Sequence, residues 1–190
     1  MTYRLLAGCV LAVCLGPAAV AQHGTGGGTH TAPYAGQEKR AVTSLADQDI
    51  ADLQAGRGWG LAKPAEINGY PGPLHVLEFA GALRLTPEQR ATVQGVYDTM
   101  KAKAQDLGAR YIAAEKALDD AFKAGTATAA LISERIAEAE TLRAHLRLTH
   151  LLAHLQVTPL LTPDQLQKYA ELRGLAGGAP QEHRPGQHKH

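Results

Sequence analysis

Apolar side chains recur between Val93 and Phe122 at intervals that alternate between four and three residues. That spacing predicts an α-helix packed along one side. A helix from the region of Thr86 to Lys123 would be about 55 Å long at ~1.5 Å per residue, so it needs a partner along its length. The apolar positions are Val93, Tyr97, Met100, Ala104, Leu107, Tyr111, Ala114, Leu118 and Ala121 or Phe122.

A second long helix, predicted from about Thr128 to Val157, supplies that partner. Gly125 lies between the two helices and predicts a tight turn, so we expect an antiparallel hairpin. Leucines after Leu142 face several sides, which is typical of a helix with more than one neighbour. A hairpin this long does not cover both its faces, so we expect a homodimer or an exposed amphipathic surface. The expected packing positions of this helix are Ile132, Ile136, Ala139, Leu146 and Ala153.

One motif occurs twice, as Leu85-Thr86-Pro87-Glu88-Gln89 and as Leu161-Thr162-Pro163-Asp164-Gln165. In each copy the threonine suits the N-cap of a helix, the proline its first position and the glutamine its third, which closes a capping box. The first copy opens the long helix, and the second opens a last short helix that ends at Gly174. Because the hairpin returns Leu160 to the neighbourhood of Leu85, we expect the two motifs to meet at one end.

A short arm, residues 44–72, is predicted ahead of the hairpin. Ser44 is expected to cap a short helix that Gly56 ends. The rest of the arm is predicted to be a loop, in which Trp59 serves as a packing anchor.

The domain over residues 73–174 is expected to open with a helix from Pro73 to about Leu83. The predicted fold class is therefore all-α, a long antiparallel helical hairpin with short flanking helices.

The charges exclude several classes of protein. The chain carries 19 Lys and Arg against 18 Asp and Glu, and charged residues make up 19% of it. This balance argues against a nucleic-acid partner and against disorder of the whole chain. Aromatic residues at 5% argue against a large β-sandwich.

The first 21 residues predict a cleaved secretory signal peptide. Leu5–Leu15 is apolar and follows Arg4, and Ala19-Val20-Ala21 suits signal peptidase. Cys9 ends a lipobox-like Leu6-Ala7-Gly8-Cys9, so lipidation there is the alternative. Cleavage after Ala21 removes both cysteines, so the exported chain cannot use disulfides. We expect the periplasm, with flexible His- and Gly-rich tails at residues 22–43 and 175–190.

Four residues of the helical region are candidate metal ligands. His150 and His154 are four residues apart and share one helix face. His75 and Glu78 are three apart, on the helix that antiparallel packing brings near the end of the second long helix. Imidazole suits Zn, Ni, Co or Cu.

Two other interpretations of the histidines stay open. Arg143, Arg147, His150 and His154 form one polar stripe, which is typical of a solvated or interface face, and the arginines disfavour a dication. Alternatively, metal binds adaptably to the tail histidines, which are His23, His30, His183, His188 and His190.

The motifs of common enzymes are missing from the sequence. It contains no HExxH, no Walker A and no GxSxG, and Ser44 and Ser133 are the only serines. With no cysteine after residue 21, the chain has few side chains that could act as a catalytic nucleophile. We expect a protein that is not an enzyme.

The two LTxxQ copies in an exported, cysteine-free helical chain resemble the Spy/CpxP family of periplasmic proteins, over roughly residues 72–173. The resemblance extends to heavy-metal sensor and resistance proteins of the CnrX and ZraP type. It implies an ATP-independent chaperone that forms a dimeric cradle for unfolded or envelope proteins, or a modulator of a membrane stress sensor. The alternative that it implies is a periplasmic binder of divalent metal. In the family the LTxxQ residues, here Leu85, Thr86, Gln89, Leu161, Thr162 and Gln165, are mainly structural.

Overall fold

The computed structural model describes residues 32–175. The predicted signal peptide, residues 22–31 and the predicted tail from residue 176 onward lie outside the described residues. Residues 32–35 end a separate N-terminal unit with a turn in which the Ala35 N–H donates to the Ala32 carbonyl at 2.9 Å. The second unit begins at Gly36.

Between residues 36 and 175 the chain is helical and contains no strand, which confirms the all-α prediction. A 3₁₀ turn, Thr158–Leu160, precedes the last helix. The six α-helices are α1 (Asp47–Gln54), α2 (Lys63–Ile67), α3 (Pro73–Glu78), α4 (Pro87–Lys123), α5 (Ala129–Val157) and α6 (Pro163–Leu172). Within this range every helix is too short or too polar to span a bilayer.

The two long helices begin where their capping residues predict. Thr86 caps α4, and the Thr128 hydroxyl accepts a bond from the Leu131 N–H at the start of α5. The helices pack against each other. At the end of α4 it is Ala121 that is buried, and Phe122 is exposed. Ile136 was expected to pack but is also exposed, because Ala139 and Leu142 take the buried side of α5 there.

The first of two apolar clusters lies beneath the arm. Leu53 of α1 and Leu61 of the following loop reach α4 and α5 in this cluster, and Trp59 packs on Tyr111 with the ring centroids 5.8 Å apart. Trp59 thus has the packing role predicted for it. The buried members are Val42, Leu45, Leu53, Leu61, Ala104, Leu107, Tyr111, Ala114, Ala139, Leu142 and Leu146. Val42 falls within the predicted tail 22–43, so ordered packing begins before residue 44.

Ser44 does not cap α1, so that prediction was wrong. Ala46 occupies the N-cap, and its N–H donates to the Asp49 carboxylate at 2.9 Å. The Ser44 hydroxyl instead donates to Glu115 of α4 at 2.6 Å. A carboxylate on a neighbouring helix therefore replaces the local backbone N–H as the partner of Ser44.

The second cluster lies where α3, α4, α5 and α6 meet. Phe79 and Tyr169 contact there edge to face at 6.3 Å. Helix α3 ends at Glu78, earlier than predicted, and Leu83 is buried from the turn that follows it. The buried members are Val76, Leu83, Val93, Val157, Leu161 and Tyr169.

Candidate functional site

The two LTxxQ motifs lie side by side and bond to each other. The Gln89 side-chain oxygen accepts the Thr86 N–H at 3.0 Å, and its amide donates to the Leu160 carbonyl at 2.8 Å. Gln165 mirrors this arrangement with the Thr162 N–H at 2.9 Å and the Leu83 carbonyl at 3.1 Å.

The two glutamines also exchange hydrogen bonds directly. Each amide donates to the other's oxygen, at 2.9 Å from Gln89 and 3.0 Å from Gln165. Every strong donor and acceptor of both side chains is thus used inside the protein. This reciprocal pair joins the start of α4 to the start of α6.

Three of the four candidate metal ligands, His75, His150 and His154, line one cavity of about 430 Å³, whereas Glu78 is not part of its lining. His150 and His154 of α5 form part of its wall, together with His75 of α3 and Glu66 of α2. Arg57 and Lys101 add two cations to the lining. Glu66 was not predicted as part of this site, because only the packing of α2 against α5 brings it there.

The two histidines of α5 are almost fully buried, with 3% of His150 and 4% of His154 exposed. Burial, together with the nearby His154, lowers the pKa of His150. Burial also lowers the pKa of His154, against the opposing effects of a bond to the Tyr70 carbonyl and of Glu66. Both rings are therefore favoured as neutral imidazole, the form that binds metal.

The imidazole nitrogens of the three histidines differ in whether they are free to bind a metal ion. His154 Nδ1 lies 2.7 Å from the Tyr70 carbonyl, and Gly72 packs so closely on the ring that a Cβ there would lie 2.9 Å from Cε1. His150 Nε2 is buried without a hydrogen-bond partner. His75 Nδ1 already contacts Glu78 at 2.8 Å. Across residues 32–175 no three His, Cys, Asp or Glu side chains are arranged to hold a metal ion, so these ligands would have to move to converge.

A separate apolar surface runs along the solvent side of α5. We call it the outer face of α5, and its members are Ala137, Thr141, Ala144, Leu148, Leu151, Leu152 and Leu155. Leu151 is half-buried and the rest are exposed, with Leu148 at 50%, Leu152 at 42% and Leu155 at 54%. The Thr141 hydroxyl donates to the Ala137 carbonyl at 2.7 Å, so this face presents no unpaired hydroxyl. Leu148, Leu152 and Leu155 therefore form an exposed apolar strip on one side of α5.

Comparison of the chain with protein-family models, with curated proteins and with solved structures gave no match.

Proposed function

We propose that this protein is a non-enzymatic periplasmic chaperone or stress modulator that binds apolar segments of other proteins. The observation that carries the proposal is the exposed outer face of α5. A buried leucine side chain is worth ~1.5–3 kcal/mol relative to an exposed one, so a client segment gains free energy by covering Leu148, Leu152 and Leu155. Binding of this kind needs no nucleotide.

The proposed architecture is a dimeric antiparallel hairpin of α4 and α5. It is supported by the five-residue connection from Ala124 to Thr128 and by the bond from the Gln89 amide to the Leu160 carbonyl. Those two observations join the end of α4 to the start of α5, and the start of α4 to the end of α5. The proposed periplasmic location rests on the signal-like residues 1–21.

Suppression of aggregation without ATP tests the client-binding proposal. Reduced insulin, whose chains aggregate, is the client, and light scattering is the measurement. We expect the protein to suppress scattering at several-fold excess. The variant Leu148→Gln/Leu152→Gln/Leu155→Gln should lose this effect, because glutamine keeps helix propensity and removes the apolar surface.

Ile136→Gln is the matched control, because Ile136 is an exposed apolar residue of α5 outside the outer face. Suppression by the triple variant equal to that of the unmodified chain would refute the role of this face. No suppression by the unmodified chain would refute chaperone activity toward this client.

A second candidate function is the binding of Zn, Ni, Co or Cu. It is favoured by the placement of His75, His150 and His154 around one cavity, and by the unpartnered Nε2 of His150. The proposed ligands are His150, His154, His75 and Glu78.

Calorimetric titration with each metal chloride separates the folded site from the tails. One variant replaces the tail histidines with alanine, and the other carries His150→Ala and His154→Ala. Binding that survives the first change and is lost with the second supports the folded site. Binding that is lost with the tail histidines alone refutes it, as does the absence of binding to the unmodified chain. Circular dichroism shows whether the second variant remains folded.

A further inference from the structure

The outer face of α5 has the pattern of a helix that packs on another helix. Ala137, Thr141, Ala144, Leu148 and Leu151 follow one another at intervals of four, three, four and three, and Leu155 continues the series. This is the spacing of a helix–helix contact surface. The side of α5 that packs within the chain uses other positions, which include Ala139, Leu142, Leu146, Ala153 and Val157.

The charges beside this face differ between the two halves of α5. Glu138 and Glu140 flank it before the helix midpoint, near residue 143, and His145 and Arg147 flank it afterwards. From residue 141 to residue 163 the sequence contains no Asp or Glu. The helix thus carries acidic residues at one end of the face and basic residues at the other, which is an arrangement complementary to itself when reversed.

We propose that a second copy of this chain binds the outer face of α5, with the two α5 helices antiparallel and centred near residue 143. This inference rests on the proposed association of two copies and specifies the surface that they share. It also implies that client segments compete with the second copy for the same leucines.

The antiparallel register matches both size and charge. Leu148 lies opposite Ala137 of the second copy, and Ala144 lies opposite Thr141, so large side chains meet small ones near the centre of the contact. Helical geometry of about 100° per residue places Arg147 and Glu140 on one edge of the face, and His145 and Glu138 on the other. Reversal about residue 143 brings Arg147 near Glu140 of the second copy, and His145 near Glu138.

Two other pairings fit less well. A parallel pair would set Leu148 against Leu148 and Ala137 against Ala137, which leaves gaps between the helices at the alanines. An antiparallel pair centred on the leucines, near residue 151, would overlap over only about 18 Å, whereas the proposed register spans about 43 Å at ~1.5 Å per residue.

The contact is small. A strip ~43 Å long and ~10 Å wide covers on the order of 400 Å² per copy, below the ~800 Å² of a typical stable complex. We therefore expect reversible, concentration-dependent association, which a client at sufficient concentration can displace.

Exchanging the charges at positions 147 and 140 tests the proposed antiparallel register of the two α5 helices. Arg147 has no salt bridge within residues 32–175, so Arg147→Glu removes no internal ion pair there. Sedimentation velocity over a range of concentrations should show this variant with a dimer dissociation constant raised by about tenfold, because like charges then face each other across the contact. Adding Glu140→Arg should restore dimerisation. Arg110→Glu, at an exposed arginine of α4, is the control and should leave association unchanged.

Cysteine cross-linking tests the direction, in a full chain that also carries Cys9→Ala and Cys14→Ala. In the proposed pairing two Ala144→Cys residues lie about 3–5 Å apart along the axis, whereas two Leu155→Cys residues lie about 36 Å apart. Oxidation should therefore link the first variant and not the second. Linkage through Leu155→Cys would overturn the antiparallel register.

Two further outcomes separate this inference from the proposed function. A dimer unaffected by Arg147→Glu would place the second copy on another surface and refute the inference alone. A monomer at every concentration would refute both the inference and the proposed dimer. Client binding at the outer face is tested independently by the leucine variants with reduced insulin.

Discussion

At the scale of single residues, a glycine allows the backbones of α1 and α4 to come close together. Gly108 of α4 faces the backbone of Leu53, and a Cβ there would lie 2.9 Å from the Leu53 carbonyl carbon and would overlap its oxygen. Because both groups are backbone, neither can rotate away. Gly108 therefore allows α1 to approach α4 closely enough to bury Leu53.

Gly108→Ala should destabilise the protein by ~1–3 kcal/mol, as overpacking of a tight contact does. Gly95→Ala is the control on the same helix, because an added Cβ there would have nothing within 4 Å. That change should stabilise by about 0.5–1 kcal/mol through helix propensity. Urea unfolding measures both effects. Equal shifts of the midpoint in the two variants would contradict the role given to Gly108.

Asp119 of α4 holds the segment that leads into the arm, because the N–H and the hydroxyl of Thr43 both donate to its carboxylate. The Lys123 side chain holds the pKa of Asp119 below its usual 3.8. Burial opposes this shift, and two hydrogen bonds from Thr43 lower the pKa further. A lowered folded-state pKa means that the carboxylate stabilises the fold above pH ~3.8, and that this stabilisation is lost as the pH falls through the lower folded value.

Asp119→Asn should therefore reduce stability at pH 7 and weaken its pH dependence below pH ~4. Trp59 fluorescence, followed through urea unfolding at several pH values, is the measurement. Asp120→Asn is the control, because within residues 32–175 Asp120 pairs with Lys116 on the same helix and, unlike Asp119, has no hydrogen bond to Thr43. An identical pH profile for both variants would contradict the anchoring role of Asp119.

At the scale of elements, the starts of α4 and α6 were the most predictable features. They follow from Thr86 and Thr162, because capping depends on residues only three positions apart. The short helix α2 was predicted as part of a loop, since five residues give no periodic pattern. The contact of Leu53 with Gly108 and the bond from Ser44 to Glu115 join distant parts of the chain, and no local signal encodes them.

The candidate cavity also has features that the local sequence predicts and features that depend on contacts between distant parts of the chain. The spacing of His150 and His154 places both on one side of α5, and both line the cavity. Their burial was not predictable, because the stripe shared with Arg143 and Arg147 also fits a solvated face. The segment before α3 buries His154, because Gly72 and the Tyr70 carbonyl pack on its ring.

The glutamine pair makes the two LTxxQ motifs energetically dependent on each other. Gln89→Ala and Gln165→Ala should each cost ~1–3 kcal/mol, because each leaves a backbone carbonyl and a backbone N–H without their partner and removes two hydrogen bonds from the other glutamine. The double variant should cost less than the sum of the two by at least ~0.5 kcal/mol, since the second change removes a bond already lost.

Urea unfolding of the four proteins of this cycle measures the coupling. Gln94→Ala is the control, because Gln94 bonds only to the exposed Asp98 of its own helix, and its effect should stay within ~0.5 kcal/mol. Strict additivity of the Gln89 and Gln165 changes would contradict reciprocal bonding between the motifs.

At the scale of the whole molecule, α4 and α5 contribute to both apolar clusters. The cluster beneath the arm contains Leu107 and Leu142, and the cluster near the LTxxQ motifs contains Val93 and Val157. If α4 and α5 unfold in one cluster, the apolar side chains of the other cluster also become exposed to water. We therefore expect residues 36–175 to unfold in one cooperative step even though the two clusters are separate.

Two probes test that cooperativity. Trp59 is the only tryptophan of the chain and reports on the cluster beneath the arm, whereas far-ultraviolet circular dichroism reports on all helices. Leu53→Ala, at a fully buried side chain, should cost ~2–5 kcal/mol and shift both urea transitions to the same lower midpoint. A fluorescence transition at lower urea than the circular dichroism transition would show instead that the arm detaches while α4 and α5 remain folded. The shared helices would then fail to couple the two clusters.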